Sequence, residues 1–130
     1  MENATFTTSS WDENTTREFD GGAKITNAKV EQAYDGEMQG VGNVEYQMAY
    51  ARNGQVQFLG LEVFDGTVAG RPGTIVLQHD GIFIDGTARS SWTFIEGTGT
   101  GDLLNLRGSG SYESIDDRTC RVSFEYIFGD

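Results

Sequence analysis

Val122, Phe124, Tyr126 and Phe128 alternate with Arg121, Ser123 and Glu125. A period of two puts one set on each face of a β-strand. Similar β-rich runs cover Lys24–Tyr34, Glu37–Arg52, Gln55–Val68, Arg71–His79 and Ile82–Ile95. A short run at Thr5–Trp11 precedes them, and Leu106–Tyr112 and Cys120–Phe128 follow, which makes eight predicted strands. No window of helical period competes. Asp35-Gly36, Asn53-Gly54 and Asp80-Gly81 separate runs, and such pairs favour two-residue type I′ hairpins because both residues tolerate positive φ. Ala69-Gly70 makes a similar break, and Asp12–Gly22 reads as a loop.

Glycines at 40, 42, 60, 66 and 86 fall inside or beside these runs and suggest bulges and bends. Long, bent antiparallel strands in a meander remove their exposed edges by closing. The expected fold is all-β: a small antiparallel eight-stranded up-and-down barrel of lipocalin-like arrangement, with a two-sheet β-sandwich as the alternative. The chain of 130 residues reads as one domain, 1–130.

Composition narrows the function classes. The 18 glycines against one proline suit turns in a β-fold. A net charge of −11 speaks against nucleic acid or an anionic membrane as partner, since phosphate binding needs a basic surface. Cys120 is the only cysteine and His79 the only histidine. No intramolecular disulfide and no Cys/His zinc site can therefore form in one chain, and no metal or cofactor is expected. MENATFTTSSW lacks the basic start and apolar run of a signal peptide, so a cytoplasmic protein is expected.

The stretch EGTGTGDLLNLRGSGSYE, residues 96–113, carries five glycines. A phosphate loop would need a lysine after its last glycine, and a dinucleotide loop would need G-x-G-x-x-G opening a helix. Neither pattern is present, and Asp102 would repel a phosphate. The stretch reads as a tight excursion between strands, with Gly108 and Gly110 bending the next strand. It resembles the glycine-threonine-glycine turn of the barrel superfamily that includes allene oxide cyclases and plant dirigent proteins. SSWDE at 9–13, VEYQMAY at 44–50, FLGLEVFDGTVAGRPG at 58–73, VLQHDG at 76–81 and GTGTGDLLNLRG at 97–108 are more closely similar to a bacterial family built on that barrel, domain of unknown function 3224. The resemblance implies an allene oxide cyclase-like barrel and no particular reaction.

Hairpin arithmetic then sorts side chains by face. A two-residue turn at Asn53-Gly54 places Glu45 opposite Glu62, one at Ala69-Gly70 places Gly60 opposite His79, and one at Asp80-Gly81 places His79 opposite Ile82. One face then gathers Asn43, Glu45, Gln47, Phe58, Glu62, Phe64, Ile75, Leu77, His79, Ile82 and Ile84, with Trp92 joining if no bulge intervenes. The other carries Val44, Tyr46, Met48, Tyr50, Leu59, Leu61 and Val63. The first face is assigned to the interior. Glu45, Gln47, Phe58, Glu62, Phe64, Leu77, His79 and Trp92 form the expected ligand-binding set: apolar walls with few convergent polar groups. Glu45, Glu62 and His79 are the candidate catalytic groups, one carboxylate as base and the other, or the imidazole, as acid. A one-residue slip at a turn would send a carboxylate outward instead.

Three functions remain open on this reading. The first is a barrel binding a small apolar or amphipathic ligand. The second is a cofactor-free isomerase, cyclase or hydrolase in the same pocket. The third is a filled structural oligomer. Both faces are too apolar for a lone barrel, so a homo-oligomer is expected.

Overall fold

The computed structural model describes residues 2–129. Eight strands follow one another around a closed antiparallel barrel, each beside its sequence neighbours. They are β1 (Ala4–Glu18), β2 (Lys24–Gly36), β3 (Met38–Tyr50), β4 (Val56–Val68), β5 (Arg71–Ile84), β6 (Thr87–Phe94), β7 (Leu106–Ser114) and β8 (Thr119–Phe128). The up-and-down order is the one the sequence predicts. Closure is brief: β1 meets β8 only from Ala4↔Val122 to Thr7↔Thr119. The rest of β1 pairs with β2 alone, through bulges at Ser9 and Thr16. Asp12–Glu18, expected in a loop, thus continue a strand. Among the described residues no helix is long and apolar enough to cross a membrane.

The turns decide the faces. Val68↔Arg71 closes a two-residue turn at Ala69-Gly70, both with positive φ, as expected. The β5–β6 turn instead uses the next Asp-Gly pair along the chain, Asp85-Gly86, with φ of 53° and 80°. Asp80-Gly81 is interior to β5. Gly81 sits inside because Phe58 packs where its side chain would be. Ile82 therefore points outward, and His79 pairs with Trp92 rather than Ile82.

The largest correction is at β3. Its last pair with β4 is Tyr50↔Val56, which leaves a five-residue loop, 51–55, in place of the two-residue turn at Asn53-Gly54. Ala51 N–H bonds the Gln55 carbonyl, and Asn53 Oδ1 accepts from Gln55 N–H, so the side chain of Asn53 organises the longer loop. The odd offset flips every β3 side chain relative to β4. Val44, Tyr46 and Met48 face inward, whereas Asn43, Glu45 and Gln47 are exposed. Glu45 lies opposite Leu61, and Val44 lies opposite Glu62.

The barrel is packed at one end. Phe64, Val68, Ile75, Leu77, Leu106 and Met38 are all but fully buried there. The glycine-rich loop runs beside the start of β5, where β6 has already ended. Thr98 Oγ1 and Thr100 Oγ1 accept from the backbone N–H groups of Val76 and Thr74. This docking sends Leu103 into the core at 0% exposure. The loop turns a corner, as its sequence suggests, and Gly110 leaves the space that the Trp92 indole fills.

Gly60 lies under the Tyr46 ring and against the Glu45 carbonyl. Gly60→Ala is expected to cost about 1–3 kcal/mol through forced repacking, read as a lowered urea midpoint with unchanged m-value.

Candidate functional site

The middle of the lumen is polar. Glu62 on β4 and His79 on β5 are both fully buried, and Glu62 Oε1 lies 2.5 Å from His79 Nε2. Inward-facing positions of β2 supply further donors. Tyr34 Oη donates to the Glu62 carboxylate at 2.8 and 3.0 Å, and Gln32 Nε2 donates at 3.3 Å. The carboxylate fits because Gly42 faces it from β3, where any Cβ would collide with Oε2.

Ser90 closes the network on the other side of the imidazole. Its hydroxyl lies 3.3 Å from His79 Nδ1, 3.2 Å from the Ser91 carbonyl and 3.4 Å from the Asp80 carbonyl. The chain Ser90–His79–Glu62 is not a nucleophilic triad: its serine is buried and bonded to backbone.

Above this pair two tyrosines cross the lumen. Tyr46 on β3 and Tyr112 on β7 come from opposite sides of the ring, and their hydroxyls meet at 2.9 Å. Both rings pack edge-on against the His79 imidazole, with centroids 5.8 and 5.7 Å away. On the far side lies a cavity of about 610 Å³, open at the unplugged end. Tyr46, Tyr112 and Gln32 line its deepest part, and Phe6, Val30, Met48, Val56 and Phe58 form its wall. Trp11, Tyr50, Phe83 and the turn residues Asp116, Asp117 and Arg118 stand at its mouth.

Of the expected ligand-binding set, Phe58 lines this cavity. Glu62 and His79 are inside but lie beneath the tyrosines. Phe64, Leu77 and Trp92 are buried in the packed half. Glu45 and Gln47 are on the outer surface, turned there by the five-residue loop. No pair of facing glutamates exists; one carboxylate and one imidazole take its place. Trp11 is half exposed at the mouth. Cys120 lines the wall, and its thiol is pushed up to about 12 by burial and the nearby Asp116 carboxylate.

Sequence reasoning missed Gln32, Tyr34, Tyr46, Ser90 and Tyr112. A signal for the first two exists: they follow Thr26, Ala28 and Val30 at period two, while Lys29 and Glu31 take the other face. It also missed the clasp at the mouth. Glu13 accepts from Tyr50 Oη at 2.5 Å, Thr26 Oγ1 at 2.6 Å and Trp11 Nε1 at 2.9 Å. Burial pushes the Glu13 carboxyl up, but these three bonds and Lys24 outweigh it and hold the group below its ordinary value. The clasp ties the β8-free part of β1 to the end of β3.

Fold and site together define a small antiparallel barrel with a one-ended, largely apolar lumen above a buried Glu–His pair. The chain belongs to the family described as protein of unknown function (DUF3224), whose model matches residues 2–126. It is similar in fold to the crystal structure of a DUF3224 protein of unknown function from Shewanella oneidensis MR-1. The two chains are 24% identical with a TM-score of 0.75, over 100% of this chain and 99% of that one. Comparison with curated proteins gives no match.

Burial raises the phenols of Tyr34, Tyr46 and Tyr112 well above their ordinary value of 10.0, with the Glu62 charge adding to the rise. A raised acid favours the folded state fully below the unfolded pKa, and that stability is lost as pH climbs towards the folded pKa. Stability is expected to fall above pH 10 by up to about 1.4 kcal/mol per pH unit for each tyrosine, about 4 for the three. Tyr112→Phe should remove about one third of that slope in urea denaturation between pH 9 and 11.

Proposed function

We propose that this protein binds a small, mostly apolar ligand in the open half of its barrel. The observation that carries the reading is the cavity of about 610 Å³, whose size suits a drug-sized molecule. Its wall is mostly aromatic and aliphatic, Gln32, Tyr46 and Tyr112 bring polar groups together at the floor, and the charged lining residues Asp116, Asp117 and Arg118 stand at the mouth. An eight-stranded barrel has room either to be filled by side chains or to hold one small ligand. Here the glycine-rich loop and Leu103 fill one half, and the other half is open.

Catalysis by Glu62 and His79 is a weaker reading. Neither lines the cavity, and Tyr46 and Tyr112 stand between them and any molecule in it. The oxygens of Glu62 are engaged by His79, Tyr34 and Gln32.

Methionine methyl groups give the test. Met48 lines the cavity, while Met38 is fully buried at the packed end. In carbon-13 methyl-methionine spectra, titration with small ring compounds should shift Met48 and leave Met38 in place. Absence of any Met48 shift across a panel of uncharged aromatic compounds at millimolar concentration removes the reading.

A second inference concerns self-association. Leu59, Leu61 and Val63 are consecutive outward residues of β4, each at least 50% exposed. They form a stripe flanked by Asn43, Glu45 and Gln47 on β3 and by Gln78 and Asp80 on β5. We infer that this stripe covers itself against a second copy of the chain. Light scattering at micromolar concentration should give more than the 14.2 kDa of one chain, and Leu61→Lys should return the monomer mass. A wild-type monomer contradicts the inference.

A further inference from the structure

We propose that the Tyr46–Tyr112 crossbar receives the ligand's single polar group, and that this group is an uncharged hydroxyl or carbonyl oxygen on an otherwise apolar, ring-containing body. The inference rests on the reading of the cavity as a ligand site and deepens it.

The crossbar has hydrogen-bonding capacity to spare. Two phenols meeting at 2.9 Å use one proton between them. The Ser90 hydroxyl adjoins Tyr112 and can take up one of its lone pairs, but one phenol proton and further lone pairs remain. A ligand oxygen placed beside the pair extends the chain of hydroxyls by one member. A hydroxyl fits as donor and acceptor, a carbonyl as acceptor alone. An apolar ligand without oxygen leaves that capacity unused and displaces any water that would have met it, which lowers its affinity.

Charge is excluded by what surrounds the floor. The one cation among the described lining residues is Arg118, at the mouth beside Asp116 and Asp117. The His79 imidazole behind the floor is already engaged by Glu62 and Ser90. A carboxylate brought down to the crossbar would be a buried anion with no counter-ion, inside a chain of net charge −11. An ammonium finds no free carboxylate there either, because Glu62 lies behind the tyrosines and is already bonded. The rings of Phe6, Phe58 and Phe83, with the adaptable side chain of Met48, offer edges and faces to a flat body.

Three probes of one shape separate these terms: 2-naphthol, naphthalene and 2-naphthoate, each titrated at pH 7 with Met48 methyl shifts as readout. The expected order has 2-naphthol at least about tenfold tighter than naphthalene and naphthoate at least about tenfold weaker than naphthol. The double variant Tyr46→Phe/Tyr112→Phe keeps the rings against His79 and removes both hydroxyls, and circular dichroism melting checks that it folds. It should erase the preference for naphthol while leaving naphthalene affinity within about twofold. If naphthoate binds as tightly as naphthol, or the naphthol preference survives in the double variant, the crossbar assignment falls and the cavity reading stands. If none of the three probes moves Met48, both fall together.

Discussion

A carboxylate and an imidazole meet at the centre of this barrel, at 0% exposure, and the arrangement of the lumen follows from keeping that pair satisfied. Burying either group alone would leave an uncompensated charge, which costs several kcal/mol. Satisfaction draws on most of the inner surface. β2 supplies Gln32 and Tyr34, β6 supplies Ser90, and β3 supplies an absence of side chain at Gly42. No buried side-chain nitrogen or oxygen among the described residues lacks a partner. A network that touches four strands also fixes their register, because a slip of one residue in any of them leaves a donor or acceptor orphaned.

That pair also divides the lumen. Below it the barrel is packed with Phe64, Leu77, Trp92 and Leu103. Above it the Tyr46 and Tyr112 rings, edge-on to His79, form a partition, and the space beyond is empty of side chains. Glycines set where the large rings lie: Gly60 beneath Tyr46, Gly81 beside Phe58 and Gly110 beside Trp92. The asymmetry of the two ends has a sequence cause. Eight-residue β6 stops early, and the Thr98 and Thr100 hydroxyls hold the following loop against β5 at the packed end. At the other end the long β1 outruns β8 and leaves a gap for the mouth.

The strand count, their order and the corner role of the glycine-rich loop were legible in the sequence, because alternation and turn residues are local signals. So was the meeting of Glu62 and His79 on one inner face, through the two-residue turn at Ala69-Gly70. The site went astray at β3. There the alternation of Val44, Tyr46 and Met48 with Asn43, Glu45 and Gln47 argues plainly for the observed faces, whereas Asn53-Gly54 argues for a turn of the wrong parity. β4 offers no arbitration, since it places Leu59, Leu61 and Val63 outside and Glu62 inside. Turn chemistry fixes a backbone conformation but not the number of loop residues around it, and parity depends on that number. The Tyr46–Tyr112 contact, 66 residues apart in sequence, depends on barrel closure and carries no local trace.

The same geometry separates binding from chemistry. A proton moving between the Glu62–His79 pair and a molecule in the cavity would have to pass the tyrosine hydroxyls, and burial makes both phenols harder to ionise. A relay through phenols that resist losing a proton is slow to turn over unless the departing proton is replaced in the same step. Holding a hydroxyl or carbonyl oxygen makes no such demand. It needs the phenols protonated and fixed in place, which burial and the edge-on packing against His79 favour.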